Sequence, residues 1–170
     1  MKLYHNYYKW FTLITVALLM ICIIGCGGGD DDEATDGGAT PAESTKEIPI
    51  NISDADNVGS LHIELVYDSS VLEVTDVKAG SKIKNGVVEF NTNTSGRLVI
   101  GIIDATGISG SGRAVSISFD VVGSGKTDLI LENIEATNAE TLHDIITEAH
   151  KGLYNASDGT TYPPEIEFIQ

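Results

Sequence analysis

The side chains able to do chemistry are many carboxylates, a few histidines and two thiols. Asp and Glu number 25 against 10 Lys and Arg in 170 residues, a formal charge of −15. Carboxylate pairs are therefore abundant by composition alone and carry no information about acid–base catalysis. His62, His143 and His150 are scattered, without the His-Glu-x-x-His spacing that places two imidazoles around a metal. No serine stands in a Gly-x-Ser-x-Gly elbow. The glycines of Asp104 to Arg113 suggest a phosphate cradle, but no lysine sits where such a loop needs one and no helix pattern follows. Asp54-x-Asp56 begins like a calcium loop, yet Val58 occupies the fifth ligand position and Leu65 stands where a bidentate glutamate belongs. These patterns predict a non-catalytic protein with no metal site and no cofactor.

The charge excludes further classes. A pI near 4.4 leaves no basic surface for phosphates, so nucleic acid is not an expected partner. A polybasic membrane-surface role fails for the same reason.

The two thiols, Cys22 and Cys26, lie near the N-terminus, so the rest of the chain has no disulfide, zinc site or thiol nucleophile. Lys2 and Lys9 precede or open an apolar run, Trp10 to Ile24, broken only by Thr12 and Thr15. About fifteen residues is short of the roughly twenty that span a bilayer, and suits a signal-peptide core. The run ends Ile23-Ile24-Gly25-Cys26, which resembles the lipobox of bacterial lipoproteins. It departs from the commonest pattern at Ile23, where leucine is usual. Bulky Ile21 makes Cys22 the poorer match. The resemblance implies that residues 1–25 are removed and that Cys26 is lipidated. It also implies secretion across the cytoplasmic membrane and an extracytoplasmic or cell-surface location on a lipid anchor. An uncleaved N-terminal membrane helix is the alternative.

Residues 26–46 read as a flexible acidic tether: Gly27 to Thr45 holds no large apolar residue to offset the entropy of ordering. Strand patterns begin at Glu47. Leu61, Ile63, Leu65 and Tyr67 alternate with Ser60, His62, Glu64 and Val66, the period of a strand with one buried face. Asp68-Ser69-Ser70 turns the chain, and Val71, Leu72 and Val74 re-enter a core. Asn85-Gly86 is a hairpin signal. Arg97 to Ile103 is nearly all apolar, as a strand covered on both faces would be. Asp104 to Arg113 reads as a small-residue loop, and Ala114 to Val122 and Thr127 to Ala136 as strands. From Thr137 to Gly152 a possible capping box and apolar spacing permit a helix. The last residues, 153–170, form a tail whose end alternates like a strand. Short strands joined by Gly, Asn and Asp turns predict an antiparallel β-sandwich.

From about Glu47 to Gly152 the chain resembles a cohesin domain. The stretch from Val58 to Val74 is similar to the family's strand ending in Tyr-Asp and its following corner, with Ser69 in place of the usual proline. Val77 to Gly80, Lys84-Asn85, Arg97 to Ile100, Thr106 to Gly112 and Ala114 to Phe119 continue the likeness in order. The resemblance implies an all-β jelly-roll sandwich of about eight to nine mostly antiparallel strands over 47–152. It implies a strand near Ile145 to Ala149, which is preferred here over the helix. The implied function is a non-catalytic, membrane-anchored receptor for dockerin-bearing proteins such as polysaccharide-degrading enzymes, with calcium on the dockerin and not on this chain. The implied interface comprises Ser60, His62 and Glu64, with Ile100 and Ile102, bordered by Ala105 and Gly107. The family's first strand has no counterpart, and Ile166, Phe168 and Ile169 are expected to fill the vacant edge.

Two rivals remain. A carbohydrate-binding module shares the sandwich, but after the signal segment there is no tryptophan, and Tyr67, Phe90 and Phe119 fall at expected core positions. A structural envelope lipoprotein is the other.

Overall fold

The computed structural model describes residues 44–169; the signal segment, Cys26 and most of the expected tether lie outside them. Two long strands organise everything else: β1 (Ser44–Val66) and β4 (Arg97–Val121). In each, the buried positions change phase. Ile48, Ile50 and Ile52 are buried in the first half of β1, and Leu61, Ile63 and Leu65 in the second. Leu98, Ile100 and Ile102 are buried in β4 before Val115, Ile117 and Phe119 take over. A change of phase needs extra residues in the ladder. The β1–β4 pairing accordingly shifts register between Ile52 and Ala55, between Ala55 and Val58, and between Val58 and Ser60. Asp54 and Asn57 take left-handed backbone there, with φ of 55° and 52°.

The phase change lets each long strand serve two layers. In the first layer, residues 44–52 of β1 pair with 112–121 of β4, which also pairs with β2 (Leu72–Ala79). The other side of β1 meets β9 (Glu165–Ile169) in a parallel pairing, and β9 pairs with β6 (Ile146–His150). In the second layer, residues 60–66 of β1 pair with 97–103 of β4, and β4 with β3 (Val87–Thr94). Beyond β1 lie β5 (Lys126–Asn138), β7 (Gly152–Asn155) and β8 (Thr161–Tyr162). Apolar side chains of both layers form one core, and Tyr67 meets Phe119 edge to face at 5.5 Å. The jelly-roll sandwich expected from the sequence is thus the observed architecture, and no helix occurs among the described residues.

The Tyr-Asp corner is built locally. The Asp68 carboxylate accepts from the Ser70 amide (2.8 Å) and hydroxyl (2.6 Å), while its carbonyl accepts from Val71 and Leu72. The Asp68 amide donates to Thr127 Oγ1, which fastens the corner to β5.

Several expectations are corrected. The expected tether runs too far, because β1 begins at Ser44. The two polar stretches read as loops, 53–57 and 104–113, run beside each other as the irregular middles of β1 and β4. Asn85-Gly86 makes no hairpin: neither residue has positive φ, and β2 and β3 pair with different halves of β4. Phe90 is 41% exposed, not core, because β3 is an edge strand that pairs only with β4. The helical spacing of 137–152 is coincidental. Leu142 and Ile146 are exposed, and β6 is a strand, as the family likeness implied. The tail contributes β7 as well as β9, and Ile166 and Phe168 are buried, whereas Ile169 remains 41% exposed.

Candidate protein-binding face

The second layer turns one face to the core and leaves the other open. Register fixes which residues share the open face. Val87, Ile103, Ser60 and Thr137 form one row across β3, β4, β1 and β5. Glu89, Gly101, His62 and Glu135 form the next. Asn91, Val99, Glu64 and Glu132 form a third, where β5 carries a bulge between His62 and Glu64. Asn133 sits at that bulge with φ of 47°.

Charge is arranged unevenly over these rows. Arg97 donates to Glu64 and, at 3.2 Å, to Glu132, so its guanidinium is held by two carboxylates. The Asn133 side chain, followed by Arg97, keeps the Glu64 carboxyl below its ordinary 4.5 and therefore ionised. His62 Nε2 lies 3.8 Å from Glu64. Glu89 and Glu135 are exposed and have no ion pair or side-chain hydrogen bond among the described residues.

One border of the face is rigid. Asp104, only 2% exposed, accepts from the Thr106 amide (3.0 Å) and hydroxyl (2.6 Å), which hold its carboxyl below the usual range. Gly107 has φ of 78°, and a Cβ there would fall 2.0 Å from Asn57 Oδ1, so this border favours glycine. At the same end of the face, after β5, the chain presents Leu142, 75% exposed and held at φ 59°. The Asn138 side chain caps Glu140 and Thr141 there at 3.0 Å, and the Leu142 amide donates to the Asn138 carbonyl.

Ser60, His62 and Glu64 therefore share the open face, and exposed Ala105 and half-exposed Gly107 lie at its border. Ile100 and Ile102 do not: they are 0% and 1% exposed, pointing into the core, and cannot touch a partner. Strand alternation puts their neighbours Val99, Gly101 and Ile103 outside. The double coverage expected for Arg97 to Ile103 is likewise corrected, since Ile103 is 64% exposed. Val87, Glu89, Glu132 and Glu135 were not legible as site residues, because only the strand order brings them to this face. Among the described residues no group of three or more His, Cys, Asp and Glu is placed to hold a metal ion.

A jelly-roll sandwich with an open four-strand face of mixed apolar and acidic character defines a class of scaffolds built to present a sheet surface. The chain belongs to the cohesin domain family, whose model matches residues 35–152. Cohesin domains are non-catalytic binding modules. Among solved structures, the chain is similar to a non-cellulosomal cohesin from the hyperthermophilic archaeon Archaeoglobus fulgidus at 27% identity. The match covers 76% of this chain and 83% of that one, with a TM-score of 0.54. It shares the fold of the sixth cohesin of Acetivibrio cellulolyticus scaffoldin B, solved in complex with a Cel5 dockerin mutant: 15% identity, 75% and 90% covered, TM-score 0.55. The same holds for CaCohA2 from Clostridium acetobutylicum: 21% identity, 72% and 81% covered, TM-score 0.53. No curated protein matches the chain.

Proposed function

We propose that this chain is a membrane-tethered extracytoplasmic receptor that captures dockerin-bearing proteins through the open face of the β3-β4-β1-β5 layer. One observation carries the reading. Beyond Arg97 the outward half of residues 97–103 is apolar, with Val99, Gly101 and Ile103 flanked by exposed Val87, yet nothing among the described residues covers it. Apolar side chains clustered on one face and rimmed by charge mark an interaction surface. Membership of the cohesin family and the dockerin-bound relatives support the choice of partner. Calcium belongs to the dockerin, and this chain works without a cofactor. Polysaccharide is the weaker ligand, because the exposed aromatics Phe90 and Tyr162 lie on separate edge strands, β3 and β8, and form no stacking row. Lipidation of Cys26 would supply the anchor.

The test presents the full chain with purified dockerin-bearing proteins in calcium and then in chelator. Calcium-dependent retention, abolished by Ile103→Asp, is the expected result. Retention on insoluble polysaccharide with no dockerin bound would overturn it in favour of a carbohydrate-binding module. Labelling with a fatty-acid analogue should mark the wild type and not Cys26→Ser.

A further inference from the structure

The open face has a gap at its centre. A Cβ built on Gly101 would meet no atom within 4 Å. The groove above it has a volume of about 290 Å³ and is lined by Val87 and Ile103, by Glu89 on the β3 side and by His62 and Glu135 on the β1 and β5 side. Its apolar wall is exposed: Val87 by 59% and Ile103 by 64%.

The charges around the groove select its occupant. Glu89 is the register partner of Gly101 on one side, and His62, paired in turn with Glu135, on the other. Adjacent strands lie about 4.8 Å apart, so a group above Gly101 is about one strand from Glu89 and about two from Glu135. Both distances fall near or within the Debye length of roughly 8 Å at physiological salt. Among the described residues neither carboxylate has a cation of its own, while the face's arginine, Arg97, is committed to Glu64 and Glu132. A purely aliphatic occupant would strip water from these carboxylates without pairing them, which is unfavourable. An acidic occupant would be repelled. A long side chain with an apolar stem and a cationic head satisfies both the wall and the rim.

We infer that the Gly101 groove receives a lysine or arginine side chain of the bound partner, its stem against Val87 and Ile103 and its charge toward Glu89 and Glu135. The inference rests on the reading of this face as protein-binding, and it adds the chemistry of the central contact.

Two arms test it on the full chain in detergent micelles. In the first, amide and methyl NMR shifts are followed during titration with Nα-acetyl-lysine methylamide and with its neutral norleucine counterpart. Saturable shifts at Gly101, Val87 and Ile103 with the lysine probe, at least threefold weaker with norleucine and weakened by Glu89→Gln with Glu135→Gln, are expected. Equal response to both probes, or no shift in the groove, overturns the inference. In the second arm, Gly101→Leu fills the groove and should lower affinity for a captured dockerin at least tenfold. Gly101→Ala should have a smaller effect, and both variants should melt no lower than the wild type. Full dockerin affinity in Gly101→Leu overturns the groove and leaves the receptor function standing. A lysine response without any dockerin capture supports the groove chemistry and overturns the choice of dockerin as partner.

Discussion

Ile52 of β1 and Ile166 of β9 are register partners in the one parallel pairing among the described residues, and both are sealed from solvent, at 1% and 0% exposure. Residues far apart in sequence thus close one layer of the sandwich. Ile166→Ala should cost about 2–5 kcal/mol, the usual range for emptying such a core site. Removing 165–170 also discards Phe168 and leaves β6 without its partner. The truncated chain should melt at least several degrees lower by calorimetry, and an unchanged melting temperature would show that β9 does not brace the layer.

The two faces of β1 separate stability from binding. Leu65 is 1% exposed and His62 stands on the open side. Leu65→Ala should cost about 2–5 kcal/mol in urea unfolding. His62→Ala should stay within about 0.5 kcal/mol of the wild type, as surface changes do, while weakening partner capture. Comparable losses of stability in both would contradict this division.

Leu142 holds a left-handed φ of 59° with its side chain 75% exposed. A branched residue resists that conformation, whereas glycine adopts it freely. Leu142→Gly should therefore leave stability unchanged or raise it by up to about 1 kcal/mol. A clear destabilisation would mean that the leucine packs more firmly than its exposure indicates.

Acid should unfold the domain through identifiable carboxylates. Asn133 lowers Glu64, the Ser70 hydroxyl lowers Asp68, the Thr106 hydroxyl lowers Asp104, and the Thr160 amide lowers Asp158. A carboxylate depressed by folding contributes stability above its unfolded value, 4.5 for Glu and 3.8 for Asp, and loses it as pH falls through the lower folded value. Stability measured by urea should therefore decline below about pH 4. Thr106→Val removes the hydroxyl at Asp104 and should make that decline shallower. An unaltered acid limb in the variant would remove Asp104 from the account.

The alternation of Leu61, Ile63 and Leu65 with Ser60, His62 and Glu64 was legible in the sequence because a strand's two faces are written two residues apart. Arg97 to Ile103 offers no such contrast and reads as covered on both faces, since every outward residue there except Arg97 is apolar or glycine. Ile100 and Ile102 are implied as surface residues by the family resemblance alone, and nothing in the run's own pattern fixes the phase. The parity follows from pairing, Ile100 with Ile63 and Gly101 with His62, which is tertiary information. The two polar stretches at 53–57 and 104–113 carried loop chemistry and proved to be irregular strand, because each supplies the other's hydrogen-bond partners. Glu89 and Glu135 are 46 positions apart in the chain and meet the same groove only through the strand order.

β1 passes through both layers without a break, from Ser44 to Val66. A partner seated over Ser60 to Glu64 and a pull applied at the N-terminal end of the domain would load the same continuous polypeptide. Between those points β1 is flanked by β4 along its length, by β5 over its second half and by β9 over 51–53. Ladder hydrogen bonds run perpendicular to the strands, so tension along β1 must shear many of them together and cannot peel them singly. The topology that places an open face at one end of a strand also makes that strand a mechanical strut.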